Sequence, residues 1–130
     1  MKDSRKVGRS GEYLAASVLS LVADTVVIVP HDSNSDIIFE YKNKIYRCQV
    51  KTQSKIEKHR TSWRFDLRKG PKVKSRGYKK NNLDVFALVS IKYKTVMFVS
   101  NLGKKLITVQ DKVMRETNSL KSFKNLLKEI

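Results

Sequence analysis

Residues 46–53 of this 130-residue chain read YRCQVKTQ. On a strand, Gln49 and Lys51 project to one face, because side chains alternate with a period of two. A polar residue, one spacer and a lysine can place a metal ligand beside a catalytic cation. Upstream stands Asp36. With Lys42-Asn43 as a two-residue turn, Tyr41 pairs with Lys44 and, counting outward, Asp36 pairs with Gln49. Directly opposed residues share a face, so Asp36, Gln49 and Lys51 form one polar cluster. A turn at Asn43-Lys44 moves Asp36 opposite Lys51 and keeps the face; a three-residue loop breaks the parity. The opposite face carries Ile37, Phe39, Tyr41, Tyr46, Cys48 and Val50, an apolar layer that assigns Cys48 to the core.

The cluster suits magnesium, which takes hard oxygen ligands and keeps several waters. Asp36 offers a carboxylate, Gln49 an amide oxygen and Val50 its backbone carbonyl. Lys51 is placed to hold a water or to neutralise charge developing on a phosphate. Phosphodiester hydrolysis needs those functions. One carboxylate holds magnesium weakly, so a second acid is expected. Glu12 is the candidate, acting directly or through a water, in the first turn of a predicted helix and inside GRSGE. Gly8 and Gly11 remove bulk at that helix start, although the helix dipole alone would also favour a first-turn Glu.

Several elements must hold these residues. Residues 10–23 have helical periodicity, with Leu14, Val18, Leu21 and Val22 recurring. TVVIVP (25–30) reads as a buried strand and HDSNS as a turn-rich loop. Segments 36–41 and 44–52 are the two strands of the cluster. WRFDLR (63–68) is a further candidate strand, and 70–82 is a basic loop. Strands 84–91 and 95–100 pair across KYK, and 118–130 forms a helix capped by Asn118 or Ser119. Helix, strands, helix in that order imply an α/β fold, a mixed central β-sheet flanked by helices, in one domain spanning 1–130.

Composition limits the partners. Twenty-eight Lys and Arg against 12 Asp and Glu give a net charge of +16, a field that attracts polyanions, nucleic acid first among them. Segment 55–80 alone holds eleven positive residues against Glu57 and Asp66. It reads as a DNA-facing extension, with Lys55, Lys58, Arg60, Arg64, Lys72, Lys74, Arg76 and Lys79 as contacts and Trp63 and Tyr78 as packing or stacking groups. Charge alone fits a ribosomal-type protein or a binder of anionic membranes equally well. No apolar run reaches a membrane span of roughly 18 residues, and the charged start MKDSRKVGRSGE has no signal-like core. One Cys and two His argue against a disulfide or a structural zinc site, and the expected location is intracellular.

GRSGEYLAASVLS, SDIIFEY, CQVKT and YKKNNLDVFALVS, in that order, resemble the motifs of the PD-(D/E)XK nuclease superfamily, over roughly residues 5–100. The last of them is similar to the subgroup of archaeal-type Holliday-junction resolvases and small homing endonucleases. The resemblance implies a restriction-endonuclease-like core and a magnesium-dependent DNA endonuclease, with Mn2+ as a substitute metal and no small-molecule cofactor. It implies Asp36, Gln49 and the Val50 carbonyl as metal ligands with Glu12, and Lys51 as the catalytic lysine. Asp84 is implied as support; Ser33 and Ser35, and Arg9, are implied as DNA contacts. Two features depart from the pattern: Pro30 is not adjacent to Asp36, and Gln49 stands where Glu or Asp is usual. A Gln-X-Lys motif is similar to that of a small group of homing endonucleases. This implies site-specific cutting of duplex DNA, a homo-oligomer (dimer or tetramer) and a prokaryotic or phage-infected cytoplasm. The alternatives are a structure-selective junction resolvase and a non-catalytic basic DNA-binding protein.

Overall fold

In the computed structural model, which describes residues 4–30, 33, 35–69, 76–77 and 83–130, a first helix is followed by a run of strands and then by two short helices. The order is α1 (Ser4–Leu19), β1 (Thr25–Ile28), β2 (Ile37–Tyr41), β3 (Lys44–Gln53), β4 (Ser62–Asp66), β5 (Arg68–Lys69), β6 (Arg76–Gly77), β7 (Val85–Ser90), β8 (Thr95–Ser100), β9 (Leu106–Gln110), α2 (Asp111–Glu116) and α3 (Ser119–Leu126). Five strands form a mixed sheet in the order β1-β2-β3-β7-β8. Only β3 and β7 run parallel.

The β2–β3 hairpin turns at Lys42 and Asn43, with φ of 49° and 66°. Two consecutive left-handed residues match the right-handed twist of the flanking strands. Tyr41 therefore faces Lys44 and Ile37 faces Cys48, the register counted outward from the turn. One face of the sheet buries Ile37, Phe39, Cys48, Val50, Val85, Ala87 and Val89 under α1 and α3. The other face buries Phe86 and Leu88 under Trp63, Phe65, Leu67, Val109 and Met114. That second layer is a separate β4–β9 ribbon together with α2. The expected strand 63–68 is split at Leu67 into β4, which pairs with β9, and β5, which pairs with β6; β9 lies in a stretch (101–117) whose sequence gives no strong period.

Two expectations are corrected. The first helix begins at Ser4 rather than Ser10, so Glu12 lies well inside it and owes nothing to a first-turn dipole effect. Its basic start is compatible with helix, since Lys and Arg are good helix formers, and Gly11 is tolerated because it seats the helix on β3. The run TVVI is a strand, but an exposed edge strand rather than a buried one. β-branched residues favour extended backbone in either position, and only the neighbours decide which.

α2 is anchored by Asp111, whose carboxylate accepts hydrogen bonds from Trp63 Nε1 at 2.9 Å and Tyr93 OH at 2.7 Å. These two donors hold the carboxyl below its usual range. A carboxylate lowered in the folded state stabilises above its unfolded pKa, and that contribution is lost as pH falls through the folded value. Asp111→Asn should therefore melt below wild type near pH 7, and the gap should close on acidification below about pH 4. Thermal melts followed by circular dichroism at both pH values measure it.

Candidate active site

Asp36 stands just before β2. Its N–H donates to the Cys48 carbonyl at 2.9 Å, and its own carbonyl accepts the Val29 N–H at 2.8 Å. The residue is thus fixed between β3 and β1, level with Gln49. Its Oδ2 accepts the Val50 N–H at 2.9 Å. A strand residue directs its N–H and C=O to the same neighbour. The Val50 carbonyl therefore points to the Asp36 side as well, past the end of β2.

Gln49 shares that face and lies beside Phe86 of β7. Its Oε1 is buried and has no hydrogen-bond partner among the described residues. An orphaned buried acceptor costs about 1–3 kcal/mol, so a ligand for it is physically called for. A carboxylate, an orphaned amide oxygen and a strand carbonyl on one side are hard donors of the kind magnesium takes, so these residues fit such an ion. Among the described residues no three His, Cys, Asp or Glu side chains cluster closely enough to hold a metal. Any cation here must be held by this mixed set.

Lys51 projects from the same face, and its Nζ donates to the Arg68 carbonyl at 3.5 Å. Burial draws its pKa below the ordinary lysine value, while the negative charges of Asp36 and Asp66 oppose that shift. Asp66 is engaged by Arg68 through two side-chain contacts at 2.9 and 2.7 Å. Asp66 and Arg68 are the neighbours of the site that the sequence reading did not single out. Their i,i+2 spacing on the predicted strand 63–68 was the available signal. Cys48 lies on the opposite face, where burial, reinforced by Asp36, pushes its thiol well above the ordinary range. It is core packing, as expected.

Helix packing brings Glu12 to the Val50–Thr52 stretch of β3. A Cβ built on Gly11 would collide with the Thr52 side chain, so α1 lies directly against β3 at this point. Glu12, Gly8 and Val7 line one cleft with Val50, Lys51 and Thr52. A separate cavity of about 710 Å³ lies between α3, β8 and β9, and none of the candidate residues lines it.

The expected DNA contacts divide. Arg9, Lys55, Lys58, Arg60 and Arg64 are exposed, with Arg60 paired to Glu57 at 2.7 Å. Lys72, Lys74 and Lys79 lie outside the described residues, and Arg76 is placed in β6 by its backbone. Ser33 is exposed, but Ser35 is 5% exposed and donates its N–H to Ser33 Oγ, so Ser33 alone of the two faces solvent. Trp63 is core. Asp84 accepts the Arg47 N–H at 2.8 Å and brackets the start of β7 against β3, two residues from Gln49.

No helix among the described residues is long and apolar enough to cross a membrane. No family model and no curated protein matches the sequence. The fold itself is similar to that of a bacterial homing endonuclease, I-Ssp6803I, with a TM-score of 0.74 over 98% of this chain and 95% of that one, at 16% identity.

Proposed function

We propose that this protein is a metal-dependent DNA endonuclease that cuts duplex DNA at a specific site. The observation that carries the reading is the buried, unpartnered Gln49 Oε1 on one face with Asp36 and Lys51. Fold likeness to a protein named as a homing endonuclease supports it, as does the net charge of +16. Asp36, Gln49 Oε1 and the Val50 carbonyl would hold a magnesium or manganese ion, with Glu12 directly or through a water. When bound, the ion supplies Lewis acidity at the scissile phosphate. Asp36 is fixed in advance by the Val50 N–H, so the carboxylate needs no reorganisation when DNA arrives. Lys51 presents a partly desolvated ammonium where negative charge builds on the phosphoryl oxygens, and desolvation strengthens that interaction. The exposed Lys55, Lys58, Arg60 and Arg64 neutralise backbone phosphates on either side.

Gln49 supplies the test. Gln49→Met replaces an unsatisfied amide by an apolar chain of similar length. It should leave stability unchanged or raise it by up to about 1 kcal/mol, while cutting falls steeply. Magnesium should raise the melting temperature of wild type and not that of Gln49→Met. Equal cutting by both proteins, or an equal magnesium shift, would remove Gln49 from the site. Gln49→Glu should keep the fold and retain cutting, since a carboxylate is the commoner ligand in this place.

A further inference from the structure

The two edges of the sheet are treated differently. At the β8 edge, the outward N–H groups of Val96 and Phe98 donate to the hydroxyls of Ser119 and Ser122, at 2.8 and 2.9 Å. α3 thus caps that edge. At the β1 edge, the Val29 N–H points inward to Asp36. Alternation along an antiparallel ladder then directs the N–H and C=O groups of Val26 and Ile28 outward. No described strand lies beyond them. The strand is β-branched throughout, without Lys or Pro, and Val27 and Ile28 are 50% and 40% exposed. Such an edge is a template for another strand, because it lacks the devices that blunt edges.

Charge indicates which strand. Residues 10–41 contain five of the 12 acids and none of the 28 Lys and Arg. A second copy of this strongly basic chain therefore meets its least repulsive stretch here. The ends of the strand are also complementary. Exposed Asp24 precedes β1, and Arg9 lines the groove at its other end with Ile28 and Pro30. Antiparallel pairing brings each Asp24 to the Arg9 end of the other copy, twice per dimer.

We infer that two copies associate through β1, antiparallel, about a two-fold axis at Val27. Outward-directed residues must face each other, so Val26 bonds Ile28 of the second copy and Ile28 bonds its Val26, with Val27 against Val27. The two five-stranded sheets become one. Arg9, read from sequence as a DNA contact, here serves the interface. In this arrangement both Asp36 residues sit on the same side of the joint sheet, about 20 Å apart by ordinary strand spacings. That spacing suits two cuts in one duplex, a consequence that rests on the proposed function; the pairing itself does not.

The test is sedimentation equilibrium of the full chain without DNA or metal, so it reads association independently of cutting. Wild type should sediment at twice the monomer mass or a multiple of it. Val27→Lys sets two like charges against each other across the axis. It should halve that mass while leaving the circular dichroism melt in place. Asp24→Arg or Arg9→Asp should each weaken association at least about tenfold, and the two together should restore it, since opposite charges again face each other. A wild type that stays monomeric, a Val27→Lys protein of unchanged mass, or a double reversal that fails to restore association overturns the inference.

Discussion

Asp36→Asn should leave the protein folded and bound to DNA while lowering magnesium-dependent cleavage by at least about 100-fold. The substitution suits the site because Asp36 does two things. Its Oδ2 accepts the Val50 N–H, which an asparagine Oδ1 can also accept, so the ladder keeps its bond. Its negative charge, the only carboxylate charge on the strand cluster itself, is lost. Metal affinity and the opposing charge beside Lys51 go with it. Asp36→Ala would remove the hydrogen bond too and confound the reading by leaving a part-buried donor unpaired. Lys51→Ala should produce a comparable loss of cutting with binding retained, since the exposed Lys55, Lys58, Arg60 and Arg64 remain to meet backbone phosphates. The measurement is cleavage of DNA carrying candidate sites with and without magnesium, paired with a binding assay in calcium. Cutting by Asp36→Asn at the wild-type rate would sink the assignment.

The second large effect is on stability. Gly11→Ala should cost about 2 kcal/mol and lower the melting temperature by roughly 5–10 °C. The added Cβ would lie 2.8 Å from both Cβ and Cγ2 of Thr52 and closer still to its Oγ1. Because β3 is central in the sheet, it cannot give way, so α1 must lift. The helix-propensity gain of replacing glycine, about 1 kcal/mol, is smaller than that strain. Gly8→Ala is the control. A Cβ there meets nothing within 4 Å, so only the propensity gain remains and the melting temperature should rise. Thr52→Ala should recover part of the Gly11→Ala loss, as contacting residues couple. Lifting α1 also moves Glu12 away from the Val50–Thr52 stretch of β3, so Gly11→Ala should cut more slowly than its stability alone accounts for. If Gly11→Ala melts no lower than Gly8→Ala, α1 does not pack on Thr52 as described.

The polar face was legible in the sequence because every fact it needs is local. A two-residue turn sets the register, and a period of two sets the face. Asp36, Gln49 and Lys51 therefore follow from the hairpin alone, as does the burial of Cys48 on the reverse. The second layer was not legible. Trp63 and Val109 face each other across β4 and β9, far apart in sequence, and a strand pattern does not name its partner.

The sequence by itself thus determined the hairpin, its chemistry-bearing face and the strongly basic field, because turn type, side-chain alternation and charge are set by neighbouring residues and by composition. Only the tertiary structure decided three things. Glu12 belongs to the middle of a helix and lines the Lys51 cleft, because Gly11 lets α1 settle on Thr52. Gln49 Oε1 is buried without a hydrogen-bond partner among the described residues, because the β3–β7 pairing and the layer over it enclose that face. β1 is an open edge, because a β-branched run forms the same strand whether or not another strand lies beside it. Each depends on which distant element packs where, and burial and pairing energies of that kind are properties of the assembled fold.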